Sequence, residues 1–259
     1  MLHFLVPSDP FDPRKPDEIF RDQAAALQEH GFGVSLFSLE EVQAGNFKVR
    51  GPIPTGATVV YRGWMVTPYE YDKIVALVQS REAVPFTSPD QYLSCHYLPN
   101  WYPRLAEFTA ETKVYHVGAD MEAELKALGW GKFFLKDYVK SLNTSVGSVV
   151  SKPEDVHTVL SEMKKFRGTI EGGICVRRFE SFLPGSEKRF FVIRGVPHGP
   201  SGSVPELVSS VAQRIASPFF AVDVAARDDG VHRVVEVGDG QVSDLRGWEP
   251  PAFAQLWQA

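Results

Sequence analysis

The chain has 259 residues, enough for one large hydrophobic core or two modest ones, and chains of this size commonly bury about 70–75% of their unfolded surface. Its 27 Lys and Arg against 32 Asp and Glu leave a net charge of −5, which supplies no global attraction for nucleic acid. Two cysteines, Cys95 and Cys175, are too few for a disulfide framework and lack metal-ligand spacing, which points to a reducing cytoplasm. The opening MLHFLVPSDP meets an acidic residue at Asp9 with no basic stretch before its apolar run, unlike a secretory signal, and no apolar run is long enough to span a bilayer.

In chain order, Leu2–Val6 reads as a buried strand, broken by the Pro-rich stretch Pro7–Pro16 before a helix around Asp17–His30 that Gly31 and Gly33 end. Val34–Leu39 and Ala57–Tyr61 read as strands and Tyr69–Ser80 as a helix, a βαβ rhythm that predicts a small layered α/β unit. From Ser88 to Arg104 aromatics and prolines interleave without a clean period; the segment is a domain boundary, with Tyr92, Tyr97, Trp101 and Tyr102 either packed on a core or lining a cleft. Beyond it come a strand at Thr112–His116, a helix at Asp120–Leu128, a strand at Lys132–Asp137, a polar loop, a strand at Gly147–Val150 and a helix at Ser151–Arg167. Strands follow at Ile174–Phe179, Arg189–Arg194, Phe219–Ala225 and His232–Val237, the last two joined by the turn Arg227-Asp228-Asp229-Gly230. The expected class is therefore α/β and α+β.

The strongest chemical pattern is PFFAVDVAARDDGVHRVVEVGDGQVSDL, Pro218 to Leu245. Antiparallel pairing about Asp229 and Gly230 brings Asp223 and Glu236 almost opposite one another, where like charges repel unless a hard divalent cation offsets both. The alternative is that both occupy the solvent face of an ordinary hairpin. Lys136, in FFLKDYVK, leads into SLNTSVGS, where a flexible ammonium and exposed N–H groups of Ser141, Thr144 and Ser145 suit a phosphate; the alternative is a snorkelling strand-edge lysine. Neither G-x-x-x-x-G-K-[ST] nor G-x-G-x-x-G occurs. Arg189 alternates onto one strand face with Phe191 and Ile193, and Arg177 and Arg178 fall on opposite faces, so at most one enters a shared pocket. The histidines show no zinc spacing, and no G-x-S-x-G elbow is present. Arg62, Trp64, Trp101 and Arg104 could stack a base but do not form an RRM pattern, which keeps nucleic acid a secondary partner.

Together, FFLKDYVKS, the Glu180–Arg189 segment and VDVA followed by VVEVGDGQ resemble the nucleotide-binding half of an ATP-grasp protein, with YRGWM and HYLPNWYPR similar to single-chain ATP-grasp proteins of phages and bacteria. The resemblance implies an N-terminal α/β pre-ATP-grasp domain over 1–111 and an ATP-grasp domain over 112–259, with a small subdomain at about 112–180 and a large one at about 181–259. It implies ATP and Mg²⁺, with Lys113 and Lys136 as the two nucleotide lysines, Ile174–Phe182 beside the adenine, Glu180 or Glu187 on the ribose, and Asp223 and Glu236 on the metal. Relatives commonly carry Glu-x-Asn at the second metal motif; here Gly238 takes the Asn place, so Asp239 or a water supplies that oxygen. Many relatives carry an arginine two residues before the metal Asp; here that is Ala221, and Arg189 or Arg177 could replace its charge. The implied reaction joins a small-molecule or peptide carboxylate, clamped by Arg62 at the carboxyl end of its strand, to an amine or other nucleophile through an acyl phosphate. An ATP-binding RNA-modifying or interaction protein, or an inactive ATP-grasp scaffold, are the alternatives. No membrane is implied and no oligomeric state is fixed.

Overall fold

The computed structural model describes residues 1–142 and 144–258. Contacts divide the chain into two units, one of Met1–Cys95, Lys188–Val222 and Gly238–Ala259, the other of His96–Glu187 and Asp223–Val237. This partition is discontinuous in sequence, unlike a linear split after residue 111.

The first unit begins with β1 (Leu2–Pro7), α1 (Arg21–Glu29), β2 (Gly33–Phe37), α2 (Leu39–Gln43), β3 (Val49–Arg50), β4 (Thr58–Tyr61), α3 (Pro68–Gln79), β5 (Val84–Pro85) and α4 (Pro89–His96). Its strands form one sheet in the order β3-β2-β1-β4-β5, parallel except for β2 with β3. Alternation sorts the side chains of β1 and β4 onto two cores: Phe4, Val6 and Val60 join Leu27, Phe191, Phe219 and Phe253, whereas Leu5, Val59 and Tyr61 join Tyr71, Ile74 and Tyr92. A capping box starts α3, with Glu70 N donating to Thr67 Oγ1 at 3.3 Å and Thr67 N donating to Glu70 Oε2 at 2.7 Å. The strand expected to run to Leu39 stops at Phe37, because the Ser38 hydroxyl accepts from Glu41 N and caps α2.

The second unit contains α5 (Leu98–Leu105), β6 (Thr112–Tyr115), α6 (Met121–Leu128), β7 (Phe133–Lys136), β8 (Val149–Val150), α7 (Val156–Arg167) and β9 (Ile174–Arg178). The aromatic Ser88–Arg104 segment, which shows no clean period in sequence, is thus largely helical, in α4 and α5. Pro99 sits in the first turn of α5 and Pro103 inside it, which hides the periodicity, yet Tyr92, Cys95, Leu98, Trp101 and Leu105 are all buried, so packing is what the aromatics mainly serve. Strands β6-β9-β7-β8 form an antiparallel sheet in that order. Phe133, Leu135, Ile174 and Val176 face the core made with Met121, Leu125, Val156, Val159 and Met163 of the helical segments.

The chain continues through β10 (Lys188–Ile193), β11 (Val196–His198), α8 (Glu206–Ala212), β12 (Phe219–Ala226), β13 (His232–Asp239) and α9 (Pro250–Gln255). These strands form a sheet in the order β11-β10-β12-β13, and the chain passes from one unit to the other within β12 and again within β13. The turn between them is closed by Gly230 N donating to Arg227 O at 2.8 Å, with Gly230 at φ 85°, where a side chain would be strained. The α/β and α+β class expected from the sequence is the class observed.

Candidate nucleotide site

Register defines a polar face on the sheet of the second unit. Lys136 pairs with Cys175 and Cys175 with Val114, while Arg177 pairs with Phe134 and Thr112, so these residues share the face opposite the helical core. Lys136, Cys175, Arg177 and Thr112 are buried there. β7 is an inner strand and Lys136 Nζ donates to Glu236 Oε1 at 2.8 Å, which excludes a snorkelling edge lysine.

Lys113 stands apart from Lys136. It pairs with Val176, which lies on the helix-facing side, and its half-exposed side chain reaches Glu111 at 3.5 Å. The two lysines expected on one nucleotide therefore point to opposite sides of the sheet, because a one-residue offset reverses the face.

The polar loop after Lys136 is held at its base. Asp137, fully buried, accepts from Val139 N at 2.8 Å and Lys140 N at 2.6 Å, and Leu142 N donates to Ser148 Oγ at 2.7 Å. Ser141 bridges back to Lys136, and Gly147 N donates to Thr144 O at 3.0 Å to form a turn. Ser141 and Ser145 are exposed and Thr144 is half-buried; Asn143 lies outside the described residues.

Asp223 is 2% exposed, which rules out a hairpin presenting both carboxylates to solvent. Among the described residues no group of three or more His, Cys, Asp or Glu side chains is placed to hold a metal ion. Asp239, expected as a third ligand, is engaged within the first unit: its Oδ1 accepts from Gln241 N at 2.9 Å and Gln241 Nε2 at 3.1 Å, and its Oδ2 accepts from Cys95 Sγ at 3.6 Å. Burial lifts its carboxyl to about 7, against the lowering effect of those hydrogen bonds.

The arginines also depart from expectation. Arg62 is 1% exposed and belongs to the interior of the first unit, where it donates to Gln23 Oε1 at 2.7 and 3.2 Å, to Ser243 O at 2.9 Å and to Gly240 O. With its donors turned to these acceptors it is a structural arginine. Arg189, in the same unit, pairs with the Asp244 carboxylate and donates to Asp244 O at 3.1 Å. Arg177 uses both terminal nitrogens on protein acceptors, Val235 O and Thr109 Oγ1, and burial lowers its pKa. Glu180 is held by Arg233 at 3.1 Å and Arg227 at 3.6 Å, while Glu187 is half-buried.

His96 carries no signal in the sequence beyond an isolated histidine without ligand spacing. It is buried at the end of α4 and stacks on Tyr97 with ring centroids 5.9 Å apart. Burial drives its imidazole down to about 4; Glu236 acts to raise it, and Lys136 and Lys140 to lower it further. Those influences place it in the electrostatic neighbourhood of the Lys136–Glu236 pair.

A lysine-bearing polar sheet face, a small-residue loop and a carboxylate-bearing hairpin on this α/β frame define the ATP-grasp class. Solved structures sharing the fold include D-cycloserine synthetase DcsG, with TM-score 0.64, 12% identity and coverage of 99% of this chain and 98% of that one. D-alanine-D-alanine ligase from Coxiella burnetii matches at TM-score 0.65 and 14% identity, over 100% of this chain and 94% of that one. ATP-grasp ligase PsnB complexed with a phosphomimetic variant of minimal precursor, Mg and ADP matches at TM-score 0.58 and 14% identity, over 100% and 99%. At such identities the likeness establishes the fold. Residues 127–259, more than half of the chain, match a family described as an ATP-grasp domain, family 3 of its clade, and the chain belongs to that family. No curated protein matches it. Among the described residues no helix is long and apolar enough to cross a membrane.

Proposed function

We propose that this chain is an ATP-dependent ligase that activates a carboxylate as an acyl phosphate, with Lys136 on the ATP phosphates, the Ser141–Ser148 loop over them, and Asp223 with Glu236 as ligands to Mg²⁺. The observation that carries this reading is the buried Lys136 ammonium, 2.8 Å from the Glu236 carboxylate and immediately before a loop of small polar residues. Two carboxylates fit Mg²⁺ without a third protein ligand, because this ion commonly takes one or two carboxylates and fills its other positions with phosphate and water. When bound, Mg²⁺ supplies charge neutralisation among the phosphate oxygens.

In the proposed reaction a carboxylate oxygen attacks the γ-phosphorus, the bond to the bridging oxygen breaks, and ADP leaves. An amine or other nucleophile then attacks the acyl carbon, loses a proton and expels phosphate. Lys136 opposes the charge on the transferred group, and backbone N–H groups of the loop approach its oxygens. The first nucleophile is already anionic, so no protein base is required for it. Glu187, half-buried, is the better placed of the two glutamates for a ribose, since Glu180 is held by two arginines. The substrate class is a small-molecule or peptide carboxylate with an amine or other nucleophile, and two free, buried cysteines agree with a reducing cytoplasm.

Calorimetry of ATP binding with D223N, E236Q and K136M tests the site. Losing a charged hydrogen bond costs roughly 1.5–3 kcal/mol, so K136M should bind ATP at least about tenfold more weakly. D223N and E236Q should lose Mg²⁺ dependence. Unchanged affinity and unchanged Mg²⁺ dependence in all three folded variants would overturn the assignment. Acceptor-dependent ADP release separates a ligase from a scaffold that only binds nucleotide.

A further inference from the structure

The strand segment leading to Glu236 is fastened by residues to which the proposed chemistry gives no part. Val234 N donates to Phe108 O at 2.8 Å, and Thr109 Oγ1 donates to Val234 O at 2.7 Å. Arg177 Nη1 donates to Val235 O at 2.6 Å, and its Nη2 donates to Thr109 Oγ1. Arg233, one residue further back, donates to Glu107 O at 2.8 Å and to Thr109 O. Thr109 is 1% exposed and Arg177 7%, so these bonds form away from bulk water, where each is stronger and its loss costs more.

The carbonyls of the two residues immediately before Glu236 are thus each held by a buried donor, and the two donors are bonded to one another. A strand tethered at consecutive carbonyls cannot rock about its own axis, so the reach of the Glu236 carboxylate toward Lys136 is left to its side-chain torsions alone. Arg177 also occupies the same sheet face as Lys136.

We propose that Thr109 and Arg177 are positioning residues that set the Glu236 carboxylate against Lys136 and thereby govern how strongly Mg²⁺ enhances ATP binding. The inference rests on the reading of Lys136 and Glu236 given above. It assigns Arg177 to the support of a ligand side chain, in place of the direct nucleotide contact anticipated from its strand position.

The test is calorimetry of ATP with and without Mg²⁺ for the wild type, T109V, T109S, R177K, E236Q and the double variant T109V/E236Q. Displacing a residue that orients a metal ligand commonly costs about tenfold or more in metal affinity, so T109V and R177K should lose about tenfold of the Mg²⁺-induced gain while keeping metal-free ATP affinity. T109S, which retains the hydroxyl, should restore the gain, and T109V should add nothing in the E236Q background. Equal losses with and without metal, or an additive effect on E236Q, would overturn the positioning role. A drop in metal-free affinity confined to R177K would return Arg177 to a nucleotide contact. If E236Q itself leaves the Mg²⁺ dependence intact, the metal-site reading fails and takes this role with it; if E236Q responds and neither T109V nor R177K does, only the positioning role fails. R177K, which keeps the charge, carries the comparison if T109V does not fold.

Discussion

Lys136 Nζ stands 2.8 Å from Glu236 Oε1, the lysine side chain 4% exposed and the glutamate side chain 41%. A buried ammonium requires a counter-charge, and here that charge belongs to a residue proposed to hold the metal. Glu236 therefore has two tasks that compete: in the ligand-free protein it neutralises Lys136, and with Mg²⁺·ATP it turns to the metal while the phosphates take over Lys136. E236Q keeps a hydrogen-bond acceptor but removes the charge. It should bind metal-free ATP roughly fivefold more tightly than the wild type, the factor for about 1 kcal/mol between a charged and a neutral hydrogen bond, and should gain less on adding Mg²⁺. Calorimetry in chelator checks this; weaker metal-free binding by E236Q would remove the counter-ion role.

His96 gives the fold a dependence on pH. Its folded pKa is about 4, mainly through burial, against about 6.5 in an unfolded chain. Between those values the unfolded chain takes up a proton that the folded one refuses, so stability falls as pH drops from about 6.5 toward 4 and is unaffected by this group above that window. The melting-temperature advantage of the wild type over H96Q should therefore shrink steadily from pH 7 to pH 4.5. Carboxylates titrating in the same range are common to both proteins and cancel. A gap that stays constant would show that the imidazole is not held neutral.

Lys136 was legible because an ammonium inside FFLKD, followed by small polar residues, is informative within one local segment, and Asp223 because a carboxylate inside an apolar run has no local explanation. What stayed hidden depends on contacts distant in sequence. The support of Glu236 joins residues 109, 177 and 235, none of which carries a local pattern. Asp239 lies close to Glu236 in sequence, but Cys95 and Gln241 engage its carboxylate. Lys113 was misassigned because strand identity alone does not give the face; the register with Val176 does. Helices α4 and α5 were missed because the prolines interrupt the apolar period without breaking the packing.

Arg62 separates placement by backbone from placement by side chain. The expectation that it follows the carboxyl end of a parallel strand is correct, since β4 ends at Tyr61. Its guanidinium nevertheless turns into the first unit, donates to Gln23, Gly240 and Ser243, and lies over the Phe253 ring at 4.8 Å from its centroid. Burial above all lowers its pKa to about 10, a cost that only well-made hydrogen bonds offset. It thereby ties the segment after β4 to the chain that follows β13, two stretches 178 residues apart by the bond to Gly240. R62A should leave each deserted acceptor dry at roughly 1–3 kcal/mol and lower the melting temperature by several degrees. R62K should recover only part of the loss, because an ammonium cannot reproduce the fork that serves Gln23 and the two carbonyls together. Thermal unfolding with acceptor titration at fixed ATP decides the matter. A structural arginine predicts a clear loss of stability in R62A, with residual folded protein showing a normal acceptor KM, whereas an unchanged melting temperature with a selectively raised acceptor KM would restore the substrate-clamp role.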